Sequence, residues 1–202
     1  MGLLKGNTSL SRYRLIDKIP DDFTEDFIGE RLRKFSFTDI EREPEESSFG
    51  WVEIFNDLTY EFPVGSYKFG PNYAFTLRHD YRRLSSKILN RYLRIKEAEF
   101  IAETGRKPNS IKKKELRENL RLSLLKRTLL ATDLFEVAWF TQEQEVWFAG
   151  VGEKNRVLFE ELFLRTFGIA FRLLVPIALG LELTHPDSRI DLLGLKPSFL
   201  GS

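Results

Sequence analysis

The sequence predicts an α+β fold of antiparallel sheets with packed helices and a protruding basic helical hairpin. Three observations lead there. Strand-like and helix-like stretches run strand–helix–strands at the front and strands–helix–strand at the back. Between them lie two long helical stretches joined by the bend GRKPNS. The 202 residues are 42% hydrophobic with eighteen Phe, enough to build the core of one domain.

SLSRYRLIDKI, Ser9 to Ile19, alternates as a strand does, with Leu10, Tyr13, Leu15 and Ile19 as apolar positions. Pro20-Asp21-Asp22 supplies a stop and a helix N-cap. Phe23, Phe27, Ile28 and Leu32 follow at helical spacing, with Glu25 and Asp26 in the favourable first turn. KFSFTDIERE and GWVEIF read as two strands, separated by the acidic loop EREPEESS with Pro44 as its breaker. LTYEFPVGSYKFGPNY is turn-rich, a hairpin or long loop, and Tyr73 to about Tyr81 reads as a strand. Ser85 or Ser86 caps a helix that runs to about Glu103 and stops at Gly105; Ser110 caps a second that reaches about Leu129. LFEVAWF and EVWFAGV are strands joined by the polar turn TQEQ. A helix from Glu153 to about Thr166 carries Val157, Leu158, Leu162 and Phe163, and GIAFRLLVPI is a last strand. Residues 1–180 read as one domain, with room for two lobes joined by the hairpin 85–130, and 181–202 as a C-terminal tail.

Charge is the feature that points to function. The whole chain carries a formal net charge of +1, yet residues 78–127 hold sixteen Lys or Arg against six acids, a local +10 that leaves −9 for the rest. On the first helix Lys87, Arg91 and Arg94 stand at i, i+4 and i+7; on the second Lys114, Arg117 and Arg121 stand at i, i+3 and i+7. Each stripe spans about 10 Å, enough to touch two neighbouring phosphates on one strand. A single such stripe reads as a solvated face. Two on one hairpin, with few interspersed acids, read as a surface for a polyanion, because a surface shaped by solubility mixes both signs. Nucleic acid is the expected partner, contacted through phosphates that give affinity but little sequence readout. An anionic membrane is the weaker option, since the apolar helix faces are expected to be spent on the core. Tyr60, Tyr67, Phe69 and Tyr73 are candidates for base stacking, against the more ordinary role of packing their loop. The rival reading is a protein–protein module whose basic hairpin docks an acidic partner or a second copy, the −9 remainder supplying the acids.

Several classes of function find no support. Cysteine is absent, which excludes disulfides and thiol chemistry. The two histidines, His79 and His185, have no metal-ligand neighbours at useful spacing and read as structural. No phosphate-binding glycine loop or nucleophile elbow occurs. Glu41, Glu43, Glu45 and Glu46 crowd a proline-containing loop and read as solvated, and Asp21 and Asp22 as caps. The expectation is a non-enzymatic protein with no catalytic residues, no metal, no cofactor and no small-molecule substrate. With no secretory leader and no run long enough to span a bilayer, a soluble cytoplasmic protein is expected.

The order SRYRL, GWV, a strand leading into a basic helix, IAETGRKPNSIKKKELRENL, LLKR, AWF and EKNRVLFEELFLRTFG covers about residues 8–178. It resembles the recombination-associated protein RdgC family of bacteria, as a shortened member. The resemblance implies DNA binding without marked sequence preference, a preference for duplex, and a homodimeric ring with a positive central hole. It also implies restraint of the recombinase RecA, and a nucleoid location. Carried over position by position, it marks Arg106 and Lys107 of GRK, Lys112, Lys113 and Lys114, and Arg127 of LLKR. Two positions depart from the family pattern: Lys126 stands where the family has proline, and Leu129 where it has an aromatic that serves dimer contacts. The candidate DNA-binding set is therefore Lys87, Arg91, Arg94, Arg106, Lys107, Lys112, Lys113, Lys114, Arg117, Arg121, Lys126 and Arg127. Some family members carry an exonuclease-like name; no residue here supports that activity.

Overall fold

A computed structural model describes residues 9–20, 23–43, 45–175 and 179–180, together with Leu3 and Gly6. The elements run β1 (Ser11–Leu15), α1 (Glu25–Lys34), β2 (Ser47–Val52), β3 (Lys68–Phe69), β4 (Asn72–Arg82), α2 (Ser86–Thr104), α3 (Ser110–Leu125), β5 (Leu130–Phe140), β6 (Glu145–Phe148), α4 (Glu153–Phe167) and β7 (Phe171–Leu173). The strands form one seven-stranded sheet in the order β2-β4-β5-β6-β1-β7, with β3 attached to β4. Every paired strand runs antiparallel to its neighbour. The fold is α+β, as the periodicities predict.

One face of the sheet makes the core. Tyr13 and Leu15 of β1, Tyr73, Phe75 and Leu77 of β4, Val137 and Trp139 of β5, and Val146 and Phe148 of β6 are buried at alternate positions, the period of a strand packed on one side. α1 and α4 cover that face. Ile28 and Leu32 come from α1, and Phe159, Leu162, Phe163 and Phe167 from α4, at i, i+3, i+4 and i+8. Phe159 stacks on Phe148 at 4.4 Å between centroids, and Phe163 meets Trp139 edge-on at 5.4 Å. The buried Trp51 indole N–H donates to Thr166 Oγ1 at 2.7 Å, which donates on to the Leu162 carbonyl at 2.7 Å. That chain fixes α4 on β2 and leaves no unpaired donor there.

Several expectations are corrected. KFSFTDIERE is not a strand: α1 continues to Lys34, and only an isolated bridge joins Ser36 to Trp51. Phe37 and Ile40 from this stretch are nonetheless buried. The segment lies so close to β2 that a Cβ on Gly50 would stand 2.5 Å from Phe37 backbone atoms, so glycine is required there. The cap of α1 is Thr24, whose hydroxyl accepts from the Phe27 amide at 3.3 Å. Asp21 and Asp22 lie outside the described residues, as do Pro44, His185 and the tail 181–202. β1 ends at Leu15, four residues short of Ile19. The second hairpin helix is capped by Asn109 rather than Ser110, and it ends at Leu125 rather than about Leu129, because the chain turns at Lys126–Thr128 and enters β5 at Leu130.

Candidate nucleic-acid interface

The basic hairpin is the connection between the two longest strands. β4 and β5 pair from Tyr73↔Trp139 to Arg82↔Leu130, so the chain leaves the sheet at Arg83 and re-enters beside it. The nineteen residues of α2 extend about 28 Å at 1.5 Å each. Gly105 closes α2 in the left-handed conformation, φ 69°, with its amide on the Ile101 carbonyl. The Asn109 side chain then accepts from the Lys112 amide at 2.8 Å and starts α3. α2 and α3 pack chiefly on each other. Their seam buries Leu89, Leu93 and Leu125 and half-buries Phe100, Leu116, Leu120 and Leu124. The other apolar side chains do not join a core, contrary to expectation: Ile88, Tyr92 and Ile95 form an exposed stripe on α2, and Ile111, Leu122 and Leu129 are exposed too.

Helical phase decides how the basic stripes relate. At 100° per residue, Lys87, Arg91 and Arg94 lie about 145° past Leu89, Leu93 and Phe100 of α2, and Lys114, Arg117 and Arg121 about 95° past Leu116, Leu120 and Leu124 of α3. Antiparallel helices sharing a seam turn the same sense of rotation toward the same side. By phase, both stripes fall in the same rotational sense from the seam, with Arg91 almost opposite it. Lys113, close to the seam, makes the crossing ion pair with Glu97 at 2.8 Å. Lys112 falls on the other side and pairs with Glu115 at 2.9 Å. Arg121 pairs with Glu46 and, at 3.6 Å, with Glu118. The remaining nine candidates, Lys87, Arg91, Arg94, Arg106, Lys107, Lys114, Arg117, Lys126 and Arg127, are exposed and have no carboxylate partner among the described residues. Arg106 and Lys107 occupy the bend, and Lys126 and Arg127 the root.

Part of the local charge is structural. Arg78 is bidentate on Asp80 at 2.7 and 3.0 Å, with its guanidinium 4.3 Å from the Phe37 ring. Arg82 is buried and donates to the carbonyls of Ile40, Glu41 and Glu45. The acidic loop is thus held by its backbone to β4, and Glu46 reaches the hairpin instead of standing free in solvent. Beside it opens a cleft of about 750 Å³, lined by Arg83, Ser85, Ser86, Arg117 and Arg121 among others. Stripe spacing alone does not single out Arg83 and the two serines. Their available signal is RRLSS, two cations running straight into a helix start with no acid in its first turn.

Of the stacking candidates, Tyr67 and Tyr73 are core residues, stacked on each other at 6.4 Å. Tyr60 and Phe69 remain exposed, Phe69 edge-on to the exposed Phe55 at 5.7 Å. His79 is half-buried against Tyr81 at 4.9 Å; burial lowers its pKa, opposed by Asp133 and Asp80. No helix among the described residues is long and apolar enough to cross a membrane.

A family model described as "Putative exonuclease, RdgC" matches residues 8–163. The chain belongs to the RdgC family. The RdgC match spans the sheet from β1 to β6, the whole hairpin and most of α4, so every candidate cation lies inside it. Membership ties the chain to recombination-associated proteins, the coarse reading that the motif order implied. A comparison with curated proteins finds no match.

Proposed function

We propose that this RdgC-family chain is a non-enzymatic protein that binds DNA without sequence preference, favours duplex, and modulates recombination as a homodimer at the nucleoid. One observation carries the reading: nine exposed cations, without carboxylate partners among the described residues, sit on a helical hairpin whose two helices pack chiefly on each other. Like charges held this close repel one another until a polyanion neutralises them. Lys112, Lys113 and Arg121, already paired, contribute less than the sequence suggests, and the stripe Lys87–Arg91–Arg94 contributes more.

The test is a salt-titrated binding assay with random duplex. Replacing Lys87, Arg91 and Arg94 by Glu is expected to flatten the slope of log K against log salt by about 0.9 for each phosphate no longer neutralised. An unchanged slope and affinity would refute the assignment. Sizing the protein alone tests the homodimer. A dimer that dissociates with salt, together with no DNA binding, favours docking of an acidic surface, a use the Arg121–Glu46 pair already illustrates within one chain. End-labelled duplex incubated with magnesium is expected to stay intact; shortening would restore the exonuclease reading.

A further inference from the structure

The geometry points to a more selective anion site at the root of the hairpin: a seat for the terminal phosphomonoester of a nucleic-acid strand, formed by Arg83, Arg117, the Ser85 and Ser86 hydroxyls and the N-terminus of α2. The cleft of about 750 Å³ lies between the end of β4 and the facing turns of α2 and α3. α2 begins there with no side-chain cap bond from Ser85 and no acid in its first turn, so its positive end meets whatever enters. Arg117 and Arg83 have no carboxylate partner among the described residues; Arg83 lies 5.0 Å from the Tyr81 ring. Arg82 also lines the cleft, but it is only 8% exposed and gives its terminal nitrogens to the carbonyls of Ile40, Glu41 and Glu45, so it adds charge there and no free donor.

Charge selects the ligand. Arg82, Arg83, Arg117 and Arg121 face only Glu46 and Glu118 in the lining, two positive charges in excess, to which α2 adds about half a charge. A backbone phosphodiester brings one negative charge and two free oxygens. A phosphomonoester brings about −1.5 to −2 and three acceptor oxygens. The cleft matches the second. This inference rests on the DNA-binding reading: the stripe Lys87, Arg91 and Arg94 holds the body of the duplex, and the cleft, which takes Arg117 from the other stripe, holds its end.

The experiment compares a short duplex carrying 5′-phosphates, the same duplex carrying 5′-hydroxyls, and a covalently closed circular duplex, all at one salt concentration, by anisotropy or gel shift. The phosphorylated ends are expected to bind about tenfold tighter than the hydroxyl ends, the worth of one hydrogen bond to a charged group. Arg83→Gln is expected to abolish that difference and leave affinity for the closed circle unchanged. Equal affinity for both ends, with the circle bound normally, overturns the end site and leaves the DNA-binding reading standing. No binding to any of the three sinks that reading instead. A preference that survives Arg83→Gln moves the end elsewhere and overturns the assignment. Displacement of the phosphorylated duplex by micromolar inorganic phosphate reassigns the cleft to a free small anion and overturns it as well.

Discussion

Glu145 sits at the start of β6 with one carboxylate oxygen 2.7 Å from Arg12 and the other 2.9 Å from Arg14, and the Trp147 indole 3.1 Å away. Burial pushes its pKa up, but the donors from Arg12, Arg14 and Trp147 outweigh burial and hold it at about 2, against an ordinary 4.5. A depressed carboxylate stabilises the fold above its unfolded pKa and loses that contribution as pH falls through the folded one. Stability is therefore expected to drop between about pH 4.5 and 2, by an amount on the order of 3 kcal/mol. Urea midpoints across that range should show the drop, and Glu145→Gln should flatten it. Gly50 makes a different expectation. With Phe37 backbone against the space a Cβ needs, Gly50→Ala should cost about 2 kcal/mol or more, read as a lower urea midpoint. Both partners of the Glu145 cluster are visible in SRYRL and EVWF, yet nothing local says that residues 12 and 145 are neighbours. Only the pairing of β1 with β6 brings them together.

At the scale of the element, cap chemistry is the legible part. Gly105 and the neighbourhood of Asn109 fix where α2 ends and α3 begins, because a left-handed residue and an amide-accepting side chain are local requirements. Asn109→Ala is expected to cost about 1 kcal/mol and to speed hydrogen exchange at the Lys112 and Lys113 amides more than elsewhere. KFSFTDIERE misleads because Phe35 and Phe37 alternate as strand residues do, while the backbone finds only one bridge, at Ser36. Ile88, Tyr92 and Ile95 show the same gap from the other side: spacing reveals that a face is apolar, but a partner element must exist to cover it, and α3 covers only the Leu89–Leu93 face. The basic stripes are legible as stripes. Their phase from the seam is not, because it depends on which face the seam occupies.

For the whole molecule, the charge asymmetry is legible before any contact is known, since a summed charge survives errors in element boundaries. What it hides is allocation: Arg78 and Arg82 serve the fold, and Arg121 holds Glu46. The cleft at the root is invisible in the sequence for a related reason, being assembled from β4, α2 and α3 at once. The pairing of Arg82 with Leu130 has one more consequence. Two strand ends that already face each other need nothing longer than a tight turn to stay joined. Exchanging residues 83–129 for Asn-Gly should leave a sheet that still melts cooperatively and no longer captures DNA. The appendage is then a detachable handle, free to lengthen, shorten or change its grip without asking the body to refold.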